Sequence, residues 1–253
     1  MGLGNMIHVL PYLANSEEEL NLGVNGLKSF ELFGQTLWIT TTHVSVLIVV
    51  IVIVIFALIA RRAVMKGSPD KVPGPVLTIV EMAVEAVDNL TVSNMGEKYG
   101  GRFSNYIGTL FLYLVFANLS GLMGLRPPTA DYGCPLGLAL ITFVIIHYNG
   151  FKHEKAMHVG KLFQPVLLTP INIIGEVATP MSMSLRLFGN IMSGTIMMGL
   201  LYGLLPFLLQ IFMFPVFGFL HAYFDVFSGL IQTYVFCMLT MVFTAQCFGD
   251  ETA

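Results

Sequence analysis

Between residues 165 and 203 the chain is apolar almost throughout, yet Arg186 stands near the middle of that run. About 20 residues of the run precede it and about 17 follow, at ~1.5 Å of helix each. A snorkelling side chain cannot cover such distances to water. A guanidinium at the centre of a bilayer costs on the order of 2.5 to 3.5 kcal/mol on insertion scales and more in simulations. Arg186 must therefore face a partner group or a wet cavity.

The segments at this end of the chain are also longer than a membrane requires. Residues 165–204 and 207–248, split near Pro206, each hold roughly 35 to 40 residues, or about 50 to 60 Å of helix against a hydrocarbon core of about 30 Å. Pro170, Pro180 and Pro215 could kink these segments but do not divide them evenly, and no polar turn interrupts either one. The expectation is two steeply tilted helices packed as an antiparallel hairpin.

The rest of the chain agrees with a membrane setting. Of 253 residues, 55% are hydrophobic and 11% charged, with a mean hydropathy of +0.78, too apolar for an ordinary soluble domain. The run Val44 to Ala60 reads as bilayer-spanning. Residues 1–13 carry no Lys or Arg and no long apolar stretch, so they make a poor signal peptide. Cys134, Cys237 and Cys247 lack metal or redox spacing and lie among apolar neighbours, which makes them small core residues.

The predicted organisation is an all-α polytopic membrane protein. An acidic segment, residues 1–37, precedes a single membrane domain, residues 38–253. Spans are expected at 38–60, 105–123 and 135–150, followed by the tilted hairpin of 165–204 and 207–248. Residues 76–96 differ in kind: apolar positions recur at helical spacing, while Glu81, Glu85 and Asp88 mark the other face. With three acids this helix should lie along the membrane surface or against partner helices rather than cross. Five crossings put Arg61, Arg62, Lys66, Lys71, Lys98, Arg102, Lys152, Lys155 and Lys161 on one side, and only Lys28 and Arg126 on the other. The positive-inside rule then places the N-terminus outside and the C-terminus in the cytoplasm. Trp38 would anchor the first span at the interface.

Polar residues in the two long segments form lines. In the first, Thr169, Asn172, Glu176, Thr179, Arg186, Asn190 and Ser193 recur at steps of three, four or seven, with Met183 as the apolar member of the stripe. In the second, His221, Asp225, Ser228 and Gln232 follow the same spacing. Ser, Thr and Asn at such positions can simply bond helices together. Ionisable groups such as Glu176, Arg186 and Asp225 at this depth instead mark ion or proton pathways. A guanidinium keeps its charge at physiological pH, so it cannot relay protons. It can repel free cations, and it lowers the pKa of an adjacent carboxyl by about 1 to 3. A fixed arginine between two polar lines would separate two half-pathways and strip the proton from a carboxyl carried past it. Asp225, or a carboxylate from another chain, is the candidate partner.

The run Pro180-Met-Ser-Met-Ser-Leu-Arg-Leu-Phe-Gly-Asn190 closely resembles the signature of the subunit a family, the stator ion channel of bacterial F-type rotary ATP synthases. The resemblance extends to Asn118, the Pro-Pro-Thr-Ala-Asp loop at 127–131, Ile146-His-Tyr-Asn-Gly, Leu168-Thr-Pro-Ile-Asn with Glu176, and Gln232. It implies a non-catalytic membrane subunit, without a cofactor or metal, that carries ions, with the proton expected, to and from the rotating c-ring. The 165–248 hairpin would face that ring, peripheral-stalk b subunits would be further partners, and nucleic acid would not. It implies residence in the bacterial plasma membrane. Arg186 matches the family's essential arginine, and Asn190 and Gln232 match polar residues beside it. Asn172 and Glu176 match the inner half-channel, and Asp225 matches an outer half-channel position. Many bacterial members carry Glu where this chain has Thr195, so that acid's role in the outer path is either absent or carried by Asp225 with His221.

A secondary transporter in which Arg186 binds an anionic substrate is the alternative. It requires internal repeats, and residues 1–130 and 131–253 do not resemble each other. The His153-Glu-Lys-Ala-Met-His158 run places its two histidines at i, i+5, off a shared helix face, and is not a zinc motif.

Overall fold

A computed structural model of the chain describes residues 26–32, 35–67, 74–154, 160, 169–204 and 207–248. Most of the acidic N-terminal segment, Lys71, the second histidine of the His153–His158 pair and the first residues of the hairpin expected from 165 lie outside the described residues.

The fold is helical, with one feature the periodicity does not foretell. Strands β1 (Gly26–Leu32) and β2 (Gln35–Thr40) pair antiparallel, with Phe30 opposite Leu37 and Ser29 opposite Trp38. Trp38 thus sits in a strand, and the first long helix, α1, starts after it at Thr41 and runs to Lys66. His43 caps that start. Its Nδ1 accepts the backbone N–H of Thr40 at 3.3 Å and lies 2.7 Å from the Thr40 hydroxyl, so a donor at the helix end is satisfied. Val and Ile dominate α1 and in water would favour a strand. In lipid a lone strand would leave its backbone unpaired, and only the helix closes every hydrogen bond within the segment. Arg61 and Arg62 fall inside α1 rather than after it, where their long stems can lift the charge toward headgroups.

Helices α2 (Pro75–Met95) and α3 (Glu97–Leu119) are joined by Gly96 at φ 77°, a conformation glycine adopts without steric cost. The turn brings the two helices so close that a Cβ on Gly100 would stand 2.8 Å from Val92 Cα. Charges at Lys98 and Arg102 suggest a span beginning at 105, yet α3 begins at Glu97. Helix geometry does not stop where the membrane interface begins. Asp88, on the acidic face of α2, accepts a hydrogen bond from Ser104 of α3; Glu81 and Glu85 are exposed.

Short 3₁₀ turns at Ser120–Met123 and Pro128–Ala130 lead into α4 (Gly133–Glu154). Helix α5 runs unbroken for 36 residues from Thr169 to Leu204, with Pro180 inside it. Then α6 (Phe207–His221) passes through a π-helical turn, Ala222–Ser228, into α7 (Gly229–Ala245). The core gathers where α7 meets α3 and α5: Leu114, Leu187, Phe236, Cys237 and Met241 are all at most 1% exposed. Cys247 is buried as well, with its thiol donating to the Ile146 carbonyl.

Among the described residues four stretches are long and apolar enough to cross a membrane: Thr41–Lys66, Glu97–Met123, Gly133–His153 and Phe214–Phe248. The chain is a polytopic membrane protein.

One polar node pins this bundle. Asn118, 1% exposed, donates from Nδ2 to the Gly229 carbonyl at 3.0 Å and to Thr233 Oγ1 at 3.1 Å. Its Oδ1 accepts from Thr129 Oγ1 at 2.9 Å. A single side chain thereby joins α3, the 3₁₀ turn and the start of α7. Its polar atoms are satisfied inside an apolar core, where an unpaired one would be expensive.

Candidate functional site

The polar stripe of α5 does lie along one side of a single helix, since Pro180 does not break it. Met183, the apolar member of the stripe, is 2% exposed and packs inward. Arg186, three residues on, is exposed at the surface of this chain, and among the described residues no carboxylate or hydrogen-bonding group pairs with it. Gly189, one further turn along, has nothing within 4 Å of where its Cβ would stand. The charge therefore sits on an open face that no side chain of the described chain closes.

Two cavities approach this point from opposite directions along α5. The first, of about 220 Å³, is lined by Gly175, Ala178, Thr179, Ser182, Met183 and Arg186 of α5, with Leu239 and Phe243 of α7. The second, of about 330 Å³, is lined by Asn190, Ile191, Gly194, Thr195 and Met198 of α5, by His221, Phe224 and Asp225, and by Asn118 and the loop from Gly121 to Pro127. They share no lining residue. Arg186 is the last α5 residue of the first, and Asn190, one turn later, opens the second.

Asn190 also ties α5 to the π-helical turn: Ser228 Oγ donates to its Oδ1 at 2.7 Å. Its Nδ2 is buried with no partner, as is Nε2 of Gln232, which is 8% exposed. These two donors are oriented but unused. Asp225 accepts from His221, with Nδ1 3.0 Å from Oδ2. The spacing of His221, Asp225, Ser228 and Gln232 predicts a plain α-helical line; the wider turn at 222–228 re-aims its middle toward α5, a form common at functional sites. Thr195 lines the second cavity, but its hydroxyl donates to the Ile191 carbonyl at 3.0 Å. Ser193 and Thr179 likewise bond back to their own helix, at 2.9 Å and 3.0 Å.

Glu176 follows Gly175 at the near end of the first cavity and meets α4, where His147 Nε2 is 3.5 Å from its Oε2. The ring is held by its other nitrogen, 3.1 Å from the Phe143 carbonyl. Asn172 is half-buried one turn before Glu176. Thus α5 carries Asn172 and Glu176 toward one end of Arg186, while Asn190, Thr195, His221 and Asp225 gather at the other. Two further polar residues, His147 and Tyr202, join these clusters outside the predicted stripes. His147 is at a helix end by sequence and Tyr202 is one aromatic among many, so only the packing of neighbouring helices singles them out.

Comparison with known proteins places the chain in a family. The family described as ATP synthase A chain matches residues 43–245. ATP synthase subunit a of Desulforamulus reducens is 36% identical over 197 residues, 77% of this chain and 75% of its own length. ATP synthase subunit a 1 of Syntrophotalea carbinolica is 32% identical over 251 residues, covering 97% of this chain and 99% of its own. A sodium ion specific ATP synthase subunit a, from Propionigenium modestum, is 39% identical over 167 residues, 59% of this chain and 55% of its own length. On the fold, the arginine signature and this match across the membrane domain, the chain belongs to the ATP synthase A chain family, a non-catalytic component of the synthase's membrane sector.

Proposed function

We propose that this chain is the stationary ion path of the synthase, passing ions to and from the carboxylates of a rotating c-ring through two half-channels separated by Arg186. The observation that carries this reading is the pair of cavities with no shared lining residue, the first ending at and the second beginning one turn beyond a guanidinium that no described group neutralises. A lipid-depth cation with an open face calls for a carboxylate supplied from outside the chain. When such a carboxylate arrives protonated, the cation favours its ionised form and the proton leaves. Once ionised, it is held near Arg186 until carried on, and the fixed charge keeps free ions from crossing directly between the cavities.

In this reading α5 and the α6–α7 pair are the fourth and fifth crossings. At 36 residues α5 spans about 54 Å if straight, so it crosses at a steep tilt. The hairpin of 165–248 follows the ring's outer wall, and Gly189 leaves room for close approach. The N-terminus lies outside and the C-terminus in the cytoplasm of a bacterial plasma membrane, which puts Asn172 and Glu176 in the inner half-path. The outer half-path holds Asp225 and His221, with Thr195 as a lining residue whose hydroxyl is already committed. Asn190 and Gln232 supply the unused donors beside Arg186. Peripheral-stalk b subunits hold the assembly still, and the carried ion is the proton.

The test is Arg186→Ala in the whole complex, assayed in inverted membrane vesicles. ATP-driven pumping is expected to disappear while the complex still assembles with its ring; coupled pumping by an assembled variant would refute the reading.

A further inference from the structure

The histidine and aspartate that line the second cavity belong to a longer hydrogen-bond chain, which continues behind the wall to Tyr202. The Tyr202 hydroxyl stands 2.9 Å from His221 Nε2, and His221 Nδ1 stands 3.0 Å from Asp225 Oδ2. Tyr202 comes from the last turn of α5, whereas His221 and Asp225 belong to the facing strand of helix. Its ring is packed against Phe217, with centroids 4.8 Å apart. Both nitrogens of the imidazole are thus committed, one to a carboxylate and the other to a hydroxyl on the opposite helix.

We propose that Tyr202 is a positioning residue of the outer half-channel, holding His221 against Asp225 in both charge states of the ring so that the pair is the half-channel's proton-loading site. This rests on the channel reading above.

The chemistry follows from what each group can do. A carboxylate only accepts, so Nδ1 carries a proton in either state and donates it to Asp225. In the neutral ring Nε2 has a lone pair, and the tyrosine hydroxyl donates to it. When the ring is charged, Nε2 bears a proton and the same hydroxyl, by rotating, accepts it. Loading therefore adds one proton at Nε2, taken from cavity water. Unloading returns that proton to water on its way to the rotor carboxylate. No other bond changes, and the ring need not move. An imidazole is the side chain whose charge changes most readily near neutral pH. The charged groups that line the same cavity with it are Asp225 and, from the facing loop, Arg126. Thr195 adds no charge, so no second acid competes for the proton. An imidazole with both nitrogens so engaged is also a poor seat for a hard cation, which takes oxygen ligands.

The experiment measures ATP synthesis by the whole complex in liposomes, against the pH imposed on the outer face at constant membrane potential. Tyr202→Phe keeps the ring on Phe217 and removes only the hydroxyl. It is expected to assemble normally, to slow synthesis several-fold, and to move the pH profile toward more acid values, because the charged ring has lost its acceptor. Tyr202→Gln, which restores a group able to donate and accept, should recover the profile in part. A Tyr202→Phe profile superimposable on the unsubstituted complex overturns the proposal, and so does a rate that falls only in proportion to assembled complex. Asp225→Asn separates the two levels. If it alters the profile while Tyr202→Phe does not, the positioning role fails and the channel stands; if neither changes anything, the placement of the outer half-channel fails with it.

Discussion

Asn118 and Arg186 are both polar side chains in largely apolar helices, and their surroundings are built on opposite plans. Asn118 makes three hydrogen bonds, two to α7 and one to the 3₁₀ turn at Pro128–Ala130, and is 1% exposed. Arg186 is exposed and has no partner among the described residues, and Asn190, one turn along the same helix, carries a buried donor that is also unused. A polar group whose bonds all close inside the chain joins helices, as glue does in any membrane bundle. A set of groups left open on one face is arranged for something that arrives from elsewhere. The residue type predicts a structural role for the first and a functional role for the second only weakly; the state of their hydrogen bonds separates them.

Substitutions can sharpen or break that contrast. The largest effect is expected at Arg186. Arg186→Gln should abolish coupled pumping in vesicles while leaving the amount of assembled complex and its thermal inactivation unchanged; a drop in assembly would mean that the arginine also closes bonds within the structure. Asn118→Leu should do the reverse. It leaves the buried Thr129 hydroxyl without its acceptor, while the Gly229 carbonyl keeps the Thr233 hydroxyl, a loss of about 1 to 3 kcal/mol. Thermal inactivation should move to lower temperature, and activity per assembled complex should fall far less than in Arg186→Gln. Gln232→Leu lies between them: its buried Nε2 has no bond to lose, so stability should hold or rise, while the pumping rate falls several-fold. Thr195→Val should be the mildest, since that hydroxyl serves only its own helix. An altered pH profile in Thr195→Val would move Thr195 from lining to participant.

Much of the helical architecture can be read from the chain because lipid leaves few choices. A run such as Val44–Ala60 must be helical, and an arginine amid apolar residues must be attended to by something. Cys237 and Cys247 were equally transparent, as small apolar residues in a core. The start of α3 was not. Lys98 and Arg102 mark where the lipid would end, whereas the helix begins at the Gly96 turn, and charge says nothing about where a backbone bends. The β1–β2 hairpin is short and sits beside the far stronger signal of α1. In the candidate site, Arg186, Asn190 and Asp225 stand out because they are polar in apolar helices. The π-helical turn leaves no such trace, since polar residues spaced by four, three and four fit an ordinary helix equally well. Tyr202 and His147 belong to clusters made by helix neighbours far apart in sequence, and no local pattern announces them.

The Asn118 node has one more consequence. Its bond to the Gly229 carbonyl lies a single turn past Asp225 and directly after Ser228, which is tied to α5 through Asn190. On the proposed reading, each step of the rotor pushes back on the wall it rubs against, and a wall that recoiled by an ångström would let the moving acid miss its mark. The clamp converts that recoil into strain shared by three helices, so the bearing surface stays still while its neighbour turns.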